Sequence, residues 1–408
     1  MRRVVITGMA VVSPIGNDWE TISENLRSCN TGIKYMENWE CYEEMITRLG
    51  APATDFRKPD HYTRKQVRSM GRVALMATDA TERALQDSQL LDDPEITNGR
   101  MGVGYGSSTG STDAVADFGS MLLNHKSRRL NANTYLKMMS HTAAVNIGVF
   151  FGLKGRVIPT SSACTSGSQG IGFSYESIKY GHQDLMVAGG AEELCPTEAA
   201  VFDTLYATST RNHEPNLTPR PFDKDRDGLV IGEGAATMIL EEREHAIRRG
   251  ATIYAEIVGF GCNSDGNHVT QPQPETMHRA MELALEESEC APQSVGYVSA
   301  HGTGTDRGDT AESHATNRLL GDNIPISSLK SFTGHTLGAC GALEAVVAIN
   351  MMNDGWFHGT ANLSNVDPNC AELDYLGSEG KRINTNCIMS NNFAFGGINT
   401  SLIFTKGE

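Results

Sequence analysis

Short apolar runs alternate with longer amphipathic segments along most of this chain. Runs of strand length cover residues 4–8, 101–106, 155–159, 185–189, 235–240, 253–259, 295–300, 324–328, 387–390 and 400–404. Segments with helical spacing lie between them, at residues 17–27, 71–85, 165–180, 275–287, 310–320 and 337–352. Asn17 is the predicted N-cap of the first helix, and Glu20 completes a capping box. This alternation predicts an α/β fold with mostly parallel, buried strands.

Length and cysteine usage limit the class of protein further. At 408 residues the chain exceeds the usual size of one core, so we expect two domains or two halves that share a large core. The apolar runs are shorter than the roughly 18 residues of a membrane span, and Arg2 and Arg3 precede a first strand rather than a signal sequence. Nine cysteines are spread singly without a C-x-x-C pair, which predicts reduced thiols and no zinc site. We therefore expect a cytoplasmic protein that does not enter a membrane.

The charge is unevenly distributed. A formal net charge of −15 argues against nucleic acid or an anionic membrane as the main partner. Between residues 57 and 72 the sign reverses, with the basic residues Arg57, Lys58, Arg64, Lys65, Arg68 and Arg72. Helical spacing would place Lys65, Arg68 and Arg72 on one face, and a second basic group follows at Lys126, Arg128 and Arg129. These groups form either a solvated face or a docking surface for a small acidic partner.

Cys164 lies where a predicted strand turns into a predicted helix through small residues, at 159–167. A thiol at a helix N-terminus feels the positive end of the macrodipole, which lowers its pKa and favours the thiolate. Its own backbone N–H could face a developing oxyanion. The alternative is an inert core residue, which is the commoner role of a single cysteine.

Two histidines and a lysine follow predicted strands in the second half of the chain. His301 leaves the strand 295–300 into a Gly/Thr loop, and Lys330 and His335 follow the strand 324–328. Ligands favour this end of the strands in α/β sheets. Either histidine alone could be a surface or core residue. Together with the lysine they could hold a carboxylate or a thioester carbonyl and stabilise an enolate.

Two aromatic residues near the C-terminus, Phe393 and Phe395, flank Ala394 just before the double glycine at 396–397. The glycines permit a close turn, and Phe395 could move as a gate. It could equally be a core aromatic beside a turn.

These four segments, in this order, resemble the β-ketoacyl-acyl carrier protein synthases, the elongating condensing enzymes of the thiolase-like superfamily. The resemblance spans nearly the whole chain and includes the stretches PFDKDRDGLVIGEG at 221–234 and GHTLGACGALE at 334–344. It implies a five-layered αβαβα fold of two similar halves. The first half, 1–250, would carry the cysteine, and the second, 251–408, the histidines and the lysine.

The same resemblance implies a decarboxylative condensation. Cys164 would take an acyl group from a carrier-protein thioester, and the enolate of malonyl carrier protein would then attack it, giving a 3-oxoacyl chain two carbons longer. His301 and His335 would promote decarboxylation and stabilise the enolate, while Lys330 supports the charge of the site. The backbone N–H groups of Cys164 and Phe395 would form the oxyanion hole, with Phe395 as the gate. The substrate-binding residues implied are Ser107, Thr270, Thr303, Thr305 and Phe393.

The resemblance also names a partner, an acidic acyl carrier protein that brings the substrate on a pantetheine arm. No nucleotide, metal or flavin cofactor is then expected. A homodimer is expected, or a heterodimer with a chain-length factor. The expected carrier-protein contacts are Lys65, Arg68, Arg128, Arg129 and Arg211.

Two positions depart from the family pattern. Ala394 replaces a usual glycine in the gating loop, and Asp306 replaces a usual proline after the His301 loop. Among other classes, a thiolase would use a second cysteine as base and a chalcone-synthase-like enzyme a Cys, His and Asn set. A non-catalytic chain-length subunit would lack the nucleophile. Acyl-chain length, and the choice between fatty-acid and polyketide or polyene synthesis, stay open at this stage.

Overall fold

The computed structural model describes residues 1–128 and 130–407, and most of the predicted apolar runs form strands in it. The strands are β1 (Val4–Val12), β2 (Lys34–Tyr35), β3 (Leu49–Ala51), β4 (Met101–Gly106), β5 (Val157–Thr160), β6 (Leu185–Glu192), β7 (Ile231–Gly232), β8 (Gly234–Glu242), β9 (Ala255–Ser264), β10 (Val298–Ser299), β11 (Pro325–Ser327), β12 (Trp356–Phe357), β13 (Asp374–Tyr375), β14 (Lys381–Arg382), β15 (Cys387–Ala394) and β16 (Ile398–Lys406). The helices are α1 (Trp19–Arg27), α2 (Arg72–Asp87), α3 (Thr112–Asn124), α4 (Ala132–Met138), α5 (Thr142–Phe151), α6 (Ser166–Lys179), α7 (Pro196–Asp203), α8 (Arg243–Arg248), α9 (Pro274–Ser288), α10 (Asp306–Leu320), α11 (Lys330–Thr333) and α12 (Cys340–Asp354).

Eleven strands of the described residues pair into one mixed sheet, in the order β13-β11-β10-β15-β16-β9-β1-β8-β6-β4-β5. β1 and β9 pair antiparallel near its middle. Outward from β1 the successive pairings are antiparallel, antiparallel, parallel and parallel, and the same series recurs outward from β9. The prediction of mostly parallel strands is therefore wrong. A continuous apolar run reports burial on both faces of a strand, which does not specify its direction.

Helices separate and cover the two halves of this sheet. α6 and α12 pack between the halves, α2 and α5 cover the first half, and α9 and α10 cover the second, which gives the five layers αβαβα. α12 is buried along nearly its whole length, as a helix between two sheet layers must be. The glycines of α6 allow close packing, since a Cβ on Gly170 would lie 2.7 Å from the carbonyl oxygen of Gly189.

One local prediction near the N-terminus is wrong, and several helices further along the first half had no prediction. The side chain of Asp18, not of Asn17, caps α1 by accepting a hydrogen bond from the Thr21 N–H at 2.8 Å. Helices α3, α4 and α5 were not predicted. α3 exposes Leu122 and Leu123, so its apolar residues do not mark a single buried face.

The basic segment is not helical either. Residues 57–70 form a series of turns, in which the Lys58 ammonium bonds the carbonyl oxygens of Pro59 (2.8 Å) and Tyr62 (3.2 Å). α2 begins only at Arg72, whose guanidinium pairs with the buried Glu233 at 2.6 Å. Arg72 therefore shares no helical face with the preceding basic residues.

No helix in the described ranges is long and apolar enough to cross a membrane.

Candidate active site

Cys164 lies in a short 3-10 turn, Ala163–Thr165, between β5 and α6. Ala163 has a φ of 50°, in the left-handed region, which costs an alanine roughly 1–2 kcal/mol. Thr160 Oγ1 donates to the carbonyl oxygen of Ser166 at 2.7 Å and ties the end of the strand to the start of the helix. The turn thus presents the thiol at the N-terminus of α6 with only 3% of the residue exposed.

Hydrogen-bond donors surround the Cys164 sulfur. His335 Nε2 lies 3.0 Å from Sγ, and the backbone N–H groups of Phe395 and of Cys164 itself also bond the sulfur. Burial nevertheless raises the pKa of this thiol to about 11, against the lowering effect of those N–H groups and of Lys330. The predicted lowering by the helix terminus is therefore wrong for the resting site. Desolvation of the buried thiolate outweighs the lowering by the N–H groups and Lys330.

Both candidate histidines are held by their Nδ1 atoms. The Leu337 N–H donates to Nδ1 of His335 at 3.3 Å, and the Lys330 ammonium donates to Nδ1 of His301 at 3.2 Å. Burial and the nearby charge of Lys330 keep the pKa of both imidazoles well below the ordinary value. Each neutral ring must then carry its proton on Nε2. The rings lie edge to face with centroids 5.2 Å apart, so both Nε2–H donors belong to one site.

Lys330 is almost wholly buried and pairs with Glu344 at 2.5 Å. Burial lowers the pKa of its ammonium, but the neighbouring acidic groups, Glu344 first among them, together more than offset this and the net pKa is raised. Asn392 Nδ2 donates to the second oxygen of Glu344 at 2.7 Å. Lys330 therefore stays charged and donates to His301, and Glu344 holds the ammonium in place.

A carboxyl that sequence reasoning missed holds the His301 loop. Glu312 on α10 accepts hydrogen bonds from the backbone N–H groups of His301 (2.8 Å) and Gly302 (2.7 Å). Burial raises the pKa of Glu312 to about 8. Arg226, from the 221–234 stretch, supports the same region through an ion pair with Asp306 at 3.1 Å. Glu312 follows His301 by eleven residues in sequence, so no local spacing could have revealed it.

Most of the predicted catalytic and substrate-binding residues converge on one cavity of about 560 Å³. Within it, the hydroxyls of Thr303 and Thr305 are hydrogen-bonded to each other at 2.8 Å, and Thr270 lies exposed at the rim. The buried Phe393 ring lies 6.2 Å from the His301 ring. Among the residues that line the cavity are Cys164, Thr270, His301, Thr303, Thr305, His335, Phe393 and Phe395.

Phe395 is at the tip of the β15–β16 hairpin. Gly396 and Gly397 follow it with φ values of 95° and 73°, which only glycine adopts readily. The Phe395 ring packs against Phe202 of α7 with centroids 5.6 Å apart. Ala394 pairs with Ile398 inside the hairpin and has no left-handed φ, so its methyl group does not force a different backbone here.

Ser107 lies apart from the residues that line this cavity. It is fully buried, and its hydroxyl donates to Glu192 at 2.9 Å. Asp306 is at the first position of α10, where an acidic side chain suits the helix N-terminus as well as a proline would.

The expected carrier-protein contacts lie on the surface. Lys65, Arg68 and Arg128 are exposed, and Arg68 borders a depression that it shares with Arg64 and Lys137. Arg211 is partly committed to Glu214 and Asp227, at 3.6 and 3.7 Å. Arg129 lies outside the described residues.

The positions of three possible ligand atoms in the site would also allow a metal ion to bind. One ligand atom from each of Cys164, His301 and His335 lies within 4.8 Å of the others. The donors at both Nδ1 atoms oppose this use, because they place the protons on the Nε2 atoms that a metal would need. The donor set fits an oxyanion better than a cation.

Two family models match the chain. The model described as Beta-ketoacyl synthase, N-terminal domain, matches residues 1–246, and the C-terminal domain model matches residues 254–364. The 3-oxoacyl-[acyl-carrier-protein] synthase 2 of Vibrio harveyi is 37% identical over 99% of both chains. The protein of that name from Synechocystis sp. is 35% identical over 99% of this chain and 98% of its own.

Solved structures confirm the predicted thiolase-like fold. A β-ketoacyl synthase from Burkholderia phymatum STM815 matches with a TM-score of 0.99 and 57% identity, over 100% of both chains. The ishigamide ketosynthase/chain length factor matches at 0.92 and 28%, again over 100% of both. A type II polyketide ketosynthase, bound to the hexaketide and in complex with its acyl-carrier protein, matches at 0.87 and 31% over 100% of both.

Proposed function

Because the chain belongs to the β-ketoacyl synthase family, we propose that its two halves divide one condensation cycle between them. The chain is an acyltransferase of the 3-oxoacyl-acyl carrier protein synthase kind, in fatty-acid or polyketide synthesis. The proposal concerns which residues carry each step. It assigns the acyl-carrying nucleophile to residues 1–250 and the decarboxylating histidines to residues 251–408, with Phe395 of the second half completing the acyl-transfer site.

In the first step the Cys164 thiolate attacks the thioester carbonyl of an acyl carrier protein. The carbon–sulfur bond to the carrier breaks and the acyl group stays on Cys164. The carrier sulfur takes up the proton that the Cys164 thiol has lost, so the carrier leaves as a free thiol. The backbone N–H groups of Cys164 and Phe395, which bond the sulfur in the resting site, are placed to stabilise the tetrahedral oxyanion. Phe395 would move from Phe202 to admit the acyl chain.

In the second step malonyl carrier protein enters the same cavity. The Nε2–H groups of His301 and His335 donate to its thioester oxygen, so carbon dioxide can leave and the electron pair remains as an enolate. The enolate carbon attacks the acyl-Cys164 carbonyl, and the cysteine leaves as a thiolate that takes one proton from solvent. The convergence of two Nδ1-anchored imidazoles beside Sγ is the observation that carries this assignment.

The partner is an acyl carrier protein, and the exposed Lys65, Arg68 and Arg128 are its proposed contacts, with Arg129 and Arg211 as further ones. Charge complementarity with an acidic protein supports them. We propose no cofactor beyond the carrier's pantetheine arm, and the cytoplasmic location stays a prediction.

We propose a dimer through the edge of the sheet, either with a second copy or with a chain-length subunit. The edge strand β5 has an unpaired side in the described chain and exposes Val157 at 44%. The neighbouring α5 exposes Val149 at 78%. Exposed apolar residues at a sheet edge favour an interface.

The test is a reconstituted reaction with octanoyl and malonyl carrier proteins, followed by mass spectrometry of the carrier protein. A 3-oxoacyl product two carbons longer than the acyl donor is expected, and it should vanish when malonyl carrier protein is omitted. Absence of product with every acyl donor offered, for the protein alone and for its mixture with a chain-length subunit, would overturn the proposal.

A further inference from the structure

One wall of the active-site cavity follows the loop that leaves β10. Four residues of this loop and of the start of α10 line the cavity, His301, Thr303, Thr305 and Arg307. Their exposure increases along the chain, since His301 is buried, the two threonines are half-buried and Arg307 is exposed. The wall therefore leads from the His301 imidazole outward to the rim of the cavity, where Arg307 lies.

The two arginines that line this cavity differ in their partners. The Arg226 side chain is only 2% exposed, and it forms ion pairs with three carboxylates, Asp306 (3.1 Å), Asp309 (3.6 Å) and Asp367 (2.6 Å). The Arg307 guanidinium has no hydrogen bond or ion pair with any residue in the described part of the chain. Of these two cations, only Arg307 is therefore left to bind a ligand.

The local structure does not explain an arginine at this place. Arg307 is the second residue of α10, where the positive end of the helix dipole disfavours a cation. The adjacent Asp306 suits that end of the helix, but its carboxylate is paired with Arg226. Asp265, which also lines the cavity, accepts a hydrogen bond from Asn399 at 2.7 Å. Arg307 therefore gains no ion pair from either carboxylate.

The charge of the cavity indicates what Arg307 binds. Asp227, Asp265 and Asp306 line the cavity as well, so an anionic ligand that enters it needs a cation nearby. A planar guanidinium is always charged and binds a phosphate through two parallel hydrogen bonds. In the proposed cycle the ligand is a pantetheine arm, whose phosphate is at the end far from the thioester. When the thioester is at His301, that phosphate lies toward the rim.

We propose that Arg307 binds the phosphate of the pantetheine arm and so helps to hold the thioester in the cavity. The inference rests on the proposed function and adds a binding residue for the end of the substrate that does not react. The group is a phosphodiester when the arm is attached to carrier protein, and a phosphate monoester in free phosphopantetheine. Both carry the negative charge that a guanidinium recognises.

The experiment compares two acyl donors that differ only in the phosphate, octanoyl-phosphopantetheine and octanoyl-pantetheine, without carrier protein. Acylation of Cys164 is followed by intact-protein mass spectrometry at donor concentrations below KM, and the ratio of the two rates is measured. The wild type should prefer the phosphorylated donor by roughly three- to tenfold, because the ion pair is partly exposed. Arg307→Gln should bring the ratio close to one. Arg307→Lys should keep part of the preference, because it keeps the charge but loses the paired donors.

The matched control is Arg318→Gln, since Arg318 is exposed on the same helix and is not among the residues that line the cavity. This variant should keep the wild-type ratio. High salt should lower the wild-type ratio toward one, as expected for an exposed ion pair. Equal rates for the two donors in the wild type, or an unchanged ratio in Arg307→Gln, would overturn the inference.

Octanoyl carrier protein separates this inference from its alternatives. If Arg307→Gln slows acylation by the carrier protein but leaves the ratio for the two small donors unchanged, Arg307 contacts a side chain of the carrier and the inference is wrong. If neither the small donors nor the carrier protein acylate the wild type or any variant, the proposed function fails instead.

Discussion

The two halves of the molecule contain equivalent turns that present different chemical groups. Ala163–Thr165 precedes α6 in the first half, and Leu337–Ala339 precedes α12 in the second. Both begin with a left-handed residue that is not glycine, Ala163 at 50° and Leu337 at 44°. The second position is Cys164 in one turn and Gly338 in the other. One turn therefore presents a thiol, whereas the other presents a bare N–H that donates to Glu192 at 3.1 Å.

The loops beside these turns also differ in the chemical groups that they carry or enclose. After β4 the loop at 107–109 surrounds buried carboxyl groups, and after β10 the loop at 301–304 carries His301. A shared strand order thus places buried carboxyl groups beside the turn in one half and an imidazole donor beside the turn in the other. The comparison predicts that damage to one half spares the step assigned to the other.

The largest expected effect comes from Cys164→Ala. Without the sulfur no acyl-enzyme can form, so acylation should be undetectable by intact-protein mass spectrometry. Decarboxylation of malonyl carrier protein should continue, because both Nε2–H donors remain. An equal rate of stable acylation in the variant would show that another residue is the nucleophile.

Glycine at the left-handed position should change the stability of the protein by different amounts in the two strained turns. Leu337 is buried, so Leu337→Gly should destabilise the protein by about 2–4 kcal/mol even after the strain is relieved. Ala163→Gly removes only a methyl group and should change the stability by less than about 1 kcal/mol. Urea unfolding midpoints measure both. Equal losses of stability would mean that side-chain packing contributes no more at Leu337 than at Ala163.

The reactivity of the thiol should depend steeply on pH. The pKa of Cys164 is raised to about 11, so the thiolate fraction, and with it the rate of alkylation by iodoacetamide, should rise about tenfold per unit between about pH 7 and 9. Cys164→Ala gives the background from the exposed Cys29 and Cys41. A rate that levels off below about pH 8 would instead indicate a stabilised thiolate at rest.

The smallest expected effect is on the KM for carrier protein, after charge reversal at exposed basic residues. Charge reversal of Lys65 and Arg68 together should raise the KM for carrier protein by roughly five- to tenfold, and high salt should reduce the difference because the contacts are exposed. The same reversal at the exposed Arg382 is the control. If KM is unchanged, Lys65 and Arg68 form only a solvated face.

Sequence reasoning identified the polar groups that meet in the candidate active site better than it identified their surroundings. Cys164, His301 and His335 follow strands at recognisable turns, so their local pattern marks them. Strand direction was missed because it depends on pairing between distant segments, such as β1 with β9. Glu312 and Asn392 were missed for the same reason, since neither carries a motif and each acts through a contact made by folding. The raised pKa of Cys164 follows from burial, which no motif reports.

The claim that the second half carries decarboxylation is tested most directly by His335→Ala. Substitution of the exposed His182, in His182→Ala, is the control. The variant is loaded from octanoyl carrier protein, then given malonyl carrier protein, and its intact mass is followed with time. We predict that Cys164 still becomes acylated and then stays acylated, because decarboxylation falls by roughly 10²–10⁴-fold. Release of the extended 3-oxoacyl product at the wild-type rate would contradict the account.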